Sequence, residues 1–192
     1  MSDDRIAKLG IEHGDVVLDI GFRGVEPLKL FSEAVGHSGL VQGVDVDTDA
    51  VDRARAALDP EMDRNIRILE GSILELPQES ESVDVVLCRG VLHEVRELDR
   101  ALGEICRVLR PNGHLTIADF VRFPKSKFHA YRLLNSLRGR TCLDVWPGFT
   151  REALAQRLRV QRLTVREYEI LEGELRMGFI RSPGFLLLAD KI

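Results

Sequence analysis

Several residues able to bind or activate a ligand recur just behind short apolar, β-rich runs. They are Asp19-Ile20-Gly21-Phe22-Arg23-Gly24, then Gly43-Val44-Asp45-Val46, then Gly71-Ser72-Ile73, then Cys88-Arg89-Gly90, with His93 three residues on. Glycine at such a point lets backbone approach a bound molecule closely, because no Cβ intervenes. A carboxylate there accepts hydrogen bonds only, and an imidazole with a pKa near neutrality can take or give a proton. In an open parallel sheet the ligand crevice lies beyond the carboxyl ends of the strands, where strand order reverses. If the runs are parallel strands, all of these groups converge on one site.

The intervening sequence supplies what such a sheet needs. Val16 to Ile20 is apolar nearly throughout and reads as a buried strand. Leu28, Phe31 and Val35 recur at helical spacing, with Pro27 in the first turn and Gly36 as the stop. Leu40 to Asp45 is the second strand, and Asp47 caps a helix that turns Val51, Ala54 and Leu58 inward before Asp59-Pro60 closes it. Ile66 to Leu69 and Val83 to Cys88 are strands three and four. Leu98, Leu102, Ile105 and Leu109 form one helical face, ending at the turn Pro111-Asn112-Gly113 before strand five, Leu115 to Asp119. Alternating strands and helices of this kind predict an α/β fold with helices on both faces of the sheet. Beyond it, a helix capped by Thr150 precedes two β-rich runs, Val160 to Tyr168 and Gly184 to Ala189, too close for a crossover helix and therefore antiparallel. The first twelve residues read as a short lead-in helix.

Four stretches in order then carry a resemblance: Val17-Leu18-Asp19-Ile20-Gly21; Gly43-Val44-Asp45; Ser82-Val83-Asp84-Val85-Val86 followed by Val91-Leu92-His93; and Arg107-Val108-Leu109-Arg110-Pro111-Asn112-Gly113. Over residues 10 to 119 the chain resembles the class I S-adenosylmethionine-dependent methyltransferases, in particular their menaquinone and ubiquinone methyltransferase-like, small-molecule branch. The resemblance implies a Rossmann-like, doubly wound seven-stranded sheet, mostly parallel, closed by a C-terminal antiparallel hairpin. It implies S-adenosylmethionine as cofactor, with S-adenosylhomocysteine as product, held by Asp19, Gly21, Phe22, Arg23, Gly24, Asp45, Val46, Ser72, Ile73, Cys88 and Arg89. In this reading Asp45 accepts the ribose hydroxyls, Val46 lies against the adenine, and His93 is the candidate catalytic base. Histidine at this place also serves as a structural residue at a helix start, and the sequence leaves both roles open.

Two positions depart from the family pattern. Its Asp-x-Gly-x-Gly-x-Gly is filled by Asp19, Gly21, Arg23 and Val25, so two glycines are missing and Gly24 is out of phase. Arg23 either obstructs the methionine moiety or pairs its guanidinium with that moiety's carboxylate. Ser72 stands where many relatives place an acid, a neutral acceptor weaker by ~1 kcal/mol than a charge-assisted one.

Composition narrows the partners. The 192 residues suit one domain, with 120–148 as a basic and aromatic insertion after strand five. Between Asp119 and Asp144 there is no acid, while Arg122, Lys125, Lys127, Arg132, Arg138 and Arg140 interleave with Phe120, Phe123, Phe128 and Tyr131. This segment reads either as a lid that draws an anionic acceptor to the site or as a solvated basic face. A net charge of -4 argues against bulk attraction to nucleic acid. No apolar run approaches the roughly 20 residues that span a bilayer, and the start lacks the order of a secretory signal, so a cytoplasmic protein without membrane contact is expected. Cys88, Cys106 and Cys142 are odd in number and widely spaced, which predicts reduced thiols and no metal site. The functional expectation is therefore methyl transfer to a small polar or anionic molecule. A catalytically silent, partner-binding version of the fold and an RNA methyltransferase are the alternatives, and the oligomeric state is left open.

Overall fold

The computed structural model describes residues 8–121, 148–177 and 180–192. Seven strands form one sheet in the order β3-β2-β1-β4-β5-β7-β6. They are β1 (Val16–Ile20), β2 (Leu40–Asp45), β3 (Ile66–Glu70), β4 (Val83–Arg89), β5 (Leu109–Phe120), β6 (Leu163–Met177) and β7 (Ile180–Lys191). The first five are mutually parallel, whereas β7 runs antiparallel to both β5 and β6. Strand order reverses between β1 and β4, so the crevice opens where β1, β2 and β4 end.

Alternation along the buried strands feeds two cores. Val17, Val41, Ile68, Val85 and Leu87 face α1 (Val25–Val35) and α2 (Thr48–Ala57), which contribute Leu28, Phe31, Val35, Val51 and Ala54. On the other face Leu18, Ile20, Val86, Leu115 and Ile117 pack on α3 (Leu98–Val108) and α4 (Arg151–Val160) through such residues as Leu102, Ile105, Leu154 and Leu158. Asp47 caps α2 by accepting from the Asp49 and Ala50 amides, and Thr150 caps α4 through the Ala153 amide.

Three details differ from the expected elements. The Pro111-Asn112-Gly113 turn lies inside β5, whose register jumps from Val83↔Leu109 to Val85↔His114, with Asn112 at φ 64°. Val160 is the last residue of α4 and not the start of a strand. Its branched side chain favours a strand, but the helix capped at Thr150 carries through it to the C-cap Gln161, and the chain turns at Arg162, φ 59°. Both hairpin strands are longer than their apolar runs because ladder pairing continues through polar and charged positions such as Glu174↔Pro183 and Arg176↔Arg181. The lead-in helix over residues 1–12 and the lid over 120–148 fall mostly outside the described residues. The described residues on either side of 122–147 are joined by a Val121↔Phe149 bridge and the Phe149 amide on the Phe120 carbonyl at 3.0 Å. Among the described residues no helix is long and apolar enough to cross a membrane, and no cluster of three or more side chains suits a metal ion.

Candidate active site

At the strand ends lies a cleft of about 580 Å³, within the range of small-molecule sites. Its floor is the turn after β1. Gly21 takes φ 70°, a left-handed conformation, and its amide donates to the Val44 carbonyl at 2.8 Å. A Cβ at Gly21 would come within 2.2 Å of Val91 Cγ2, so both conformation and space require glycine. Phe22 follows with its ring under Gly43, and the exposed Arg23 turns back over Gly90.

The second wall comes from β2 and β3. The half-buried Asp45 lines the cleft, where its Oδ1 accepts the Asp47 amide at 3.0 Å, and Val46 is 69% exposed beside it. The Gly71 amide donates to the Asp45 carbonyl at 3.0 Å, which brings Ser72 and Ile73 into the same wall. The Ser72 hydroxyl oxygen already accepts the Leu74 amide at 3.1 Å.

Of the residues assigned to the cofactor from the sequence, Gly21, Phe22, Arg23, Asp45, Val46, Ser72 and Ile73 line this cleft, and Asp19, Gly24, Cys88 and Arg89 do not. Asp19 is fully buried and paired with the Arg89 guanidinium, which also lies 5.4 Å from the Phe31 ring centroid. Burial raises the Asp19 pKa and the Arg89 charge opposes that rise. Cys88 is fully buried, and burial pushes its thiol pKa up, as does the charge of Asp119, so it is an inert core residue. Gly24 takes the position before α1 and faces a separate hollow with Ala50 and Arg53.

His93 is also set back. It sits in a 3-10 helix, Leu92–Glu94, 2% exposed, and donates Nδ1–H to Asp119 Oδ1 at 2.8 Å while its backbone amide reaches Asp119 Oδ2 at 3.2 Å. Phe120 meets the ring edge-on with centroids 4.9 Å apart, and Nε2 points to Glu94 Oε1 at 3.6 Å. Burial alone would lower its pKa, but the hydrogen bonds and charges of Asp119 and Glu94 outweigh it and raise the pKa to about 9. At neutral pH His93 is therefore an imidazolium without a free lone pair. The residues of this segment that do line the cleft are Val91, Glu94, Val95, Arg96 and Glu97, which the sequence reading passed over. Their signal was a charged run immediately behind β4. Asp119, an acid closing an apolar strand, was a second unread signal.

The family of proteins described as "Methyltransferase domain" matches residues 18–117. The chain belongs to this family. Among curated relatives, the domain is 34% identical over 109 residues to an arsenite methyltransferase of Halobacterium salinarum, covering 57% of this chain and 28% of that protein. It is 35% identical over 116 residues to the ubiquinone/menaquinone biosynthesis C-methyltransferase UbiE of Hahella chejuensis, covering 60% and 47%. The chain thus spans about half or less of the length of these two relatives. A solved SAM-dependent methyltransferase of Methanosarcina mazei superposes with TM-score 0.74 at 21% identity, covering 100% of this chain and 98% of that one, a likeness that shows the fold. The methyltransferase domain's β-strand order and C-terminal hairpin are those of a Rossmann-like fold.

Proposed function

We propose that this methyltransferase domain binds S-adenosylmethionine and transfers its methyl group to a small organic acceptor. The observation that carries the reading is the joint wall made by Gly21 and Asp45, which places a Cβ-free turn beside a carboxylate at the end of the neighbouring strand. The residues present fit the cofactor. Asp45 retains a carboxylate oxygen for the ribose hydroxyls beyond the one engaged by Asp47. Val46, Ile73 and Leu74 offer apolar surface for a purine, and the bare backbone at Gly21 admits the chain that joins ribose to sulfur.

When bound, the cofactor supplies an electrophilic methyl carbon on a sulfonium. What the protein adds is orientation: transfer needs an in-line lone pair at near contact, so holding both partners on one rigid wall does most of the work. Val91 and Val95 give the cleft apolar lining, and Glu94 lines it with its carboxylate 3.6 Å from His93 Nε2. His93 itself acts by position, fixing the 3-10 helix to Asp119.

The finer reading, a polar or anionic acceptor, is supported by Arg96 in the cleft and by the basic run of 120–148, whose roots lie against His93 through Phe120. The two relatives' names point to arsenite in one case and to ubiquinone/menaquinone biosynthesis in the other. Calorimetric titration with S-adenosylmethionine and S-adenosylhomocysteine tests the proposal. Saturable binding of both is expected, and a folded protein that binds neither would leave a catalytically silent fold.

A further inference from the structure

Two arginines stand at or just beyond the ends of the neighbouring strands β1 and β4, Arg23 lining the cleft and Arg89 behind it, and their surroundings divide their roles. Arg89 is committed to the buried Asp19. Arg23 has no hydrogen bond or ion pair among the described residues, and its guanidinium rests on Gly90, where a Cβ would lie 2.7 Å from Nη2 and 3.6 Å from Cζ. Gly90 takes φ 67°, and its amide is bonded to the Ala118 carbonyl at 2.7 Å, so the seat under the guanidinium is fixed backbone. Arg23 therefore spans from the turn after β1 to the end of β4, inside the cleft and over a position kept free of a side chain.

Position along the sheet identifies what this cation meets. Asp45 ends β2 and Gly90 follows β4, with β1 between them. Two strand spacings separate the two points, about 10 Å. That span matches the reach from ribose hydroxyls to the carboxylate of an amino acid carried on the 5′ carbon. A ligand hydrogen-bonded to Asp45 at one end brings its carboxylate to the guanidinium at the other, where a planar two-pronged donor suits it.

We propose that Arg23 is the carboxylate clamp of the cleft, with Gly90 as the residue that positions it, so that the site selects adenosyl compounds bearing an amino-acid carboxylate. In this arrangement Arg23 replaces the absent glycine as a binding group and does not fill the pocket. The inference rests on the methyltransferase reading, and its test is separable from that reading. Binding of S-adenosylhomocysteine is compared with binding of 5′-deoxy-5′-methylthioadenosine, which has the same adenosine and sulfur but no carboxylate, by calorimetry on the whole chain.

For Arg23→Gln, about tenfold weaker binding of S-adenosylhomocysteine with unchanged binding of methylthioadenosine is expected, and Arg23→Lys should fall between. Gly90→Ala should reproduce the selective loss by displacing the guanidinium. Should its strained backbone prevent folding, the Arg23 variants carry the test alone, because their side chain is exposed. Equal loss for both ligands, no loss, or tighter binding of S-adenosylhomocysteine by Arg23→Gln would overturn the clamp. Wild-type protein that binds both ligands equally well would also overturn it while leaving the methyltransferase reading intact, whereas binding of neither would remove both.

Discussion

The His93–Asp119 pair makes a sharp statement about pH. Folded His93 has a pKa of about 9 against 6.5 for an unperturbed histidine. At about 1.4 kcal/mol per pH unit, that difference is worth about 3 kcal/mol of folding free energy. The sign follows from which state holds the proton. Below pH 6.5 both folded and unfolded chains are protonated and the full stabilisation is present. Between 6.5 and 9 the unfolded chain has lost a proton that the folded chain keeps, so stability falls as pH rises, and above 9 the contribution is gone. Asp119→Asn keeps the shape at the end of β5 and removes the negative charge, leaving burial to depress the imidazole. Urea denaturation of wild type and variant from pH 6 to 9.5 should show a stability gap that is wide at pH 6 and narrows by up to about 3 kcal/mol at the alkaline end. The imidazole resonances of His93 should titrate near 9 in the wild type and far lower in the variant. A gap that does not change with pH, or a wild-type His93 that titrates at or below 6.5, would refute the ion pair and return His93 to candidacy as a neutral base.

Three further outcomes follow from the same geometry. Asp45→Ala should weaken S-adenosylhomocysteine binding by about tenfold or more, the loss of charge-assisted bonds worth on the order of 1.5 to 3 kcal/mol, and an unchanged Kd in a folded variant would reject the assigned ribose site. Gly21→Ala forces a Cβ into a left-handed backbone 2.2 Å from Val91 Cγ2 and should cost roughly 2 to 4 kcal/mol in chemical denaturation. Val91→Ala in the same chain should recover the steric part and leave the backbone strain. Arg89→Met abandons the fully buried Asp19 carboxylate and should destabilise by about 3 to 5 kcal/mol, most of it regained when Asp19→Asn is added; a double variant no better than the single one would show the pair to be uncoupled.

Much of this architecture is legible along the chain, because β1 to β4 and α1 to α3 are each specified by local signals. Val16 to Ile20 announces a doubly buried strand, Leu28, Phe31 and Val35 a helix face, and Asp47 and Thr150 are caps with the amides they need two or three residues on. The site is less legible wherever a partner arrives from far away. Asp19 and Arg89 are 70 positions apart and His93 and Asp119 are 26 apart, so nothing local marks them as ion pairs. The 3-10 turn settles the other misplacement: it rotates His93 inward to Asp119 and presents Glu94 to the cleft, a choice between adjacent residues that residue type alone does not make. Nor does anything local place the Arg23 guanidinium over Gly90, 67 positions away.

The buried acids explain how the wall of the cleft is held. β4 lies between β1 and β5, and each of these neighbours carries a fully buried aspartate near its carboxyl end, Asp19 and Asp119. The chain leaving β4 answers both, with Arg89 turned to one side and His93 to the other, while Gly90 between them bonds to the Ala118 carbonyl. Removing either carboxylate's partner leaves an unpaired charge in a dry environment, so both anchors are strongly enforced. The segment from Val91 to Glu97, most of which lines the cleft, is thereby pinned on two strands by Arg89 and His93, neither of which lines it. Arg89 and His93 are consumed by this task, which is why a change at Asp119 should reach the cleft through the position of Glu94 although Asp119 does not line it.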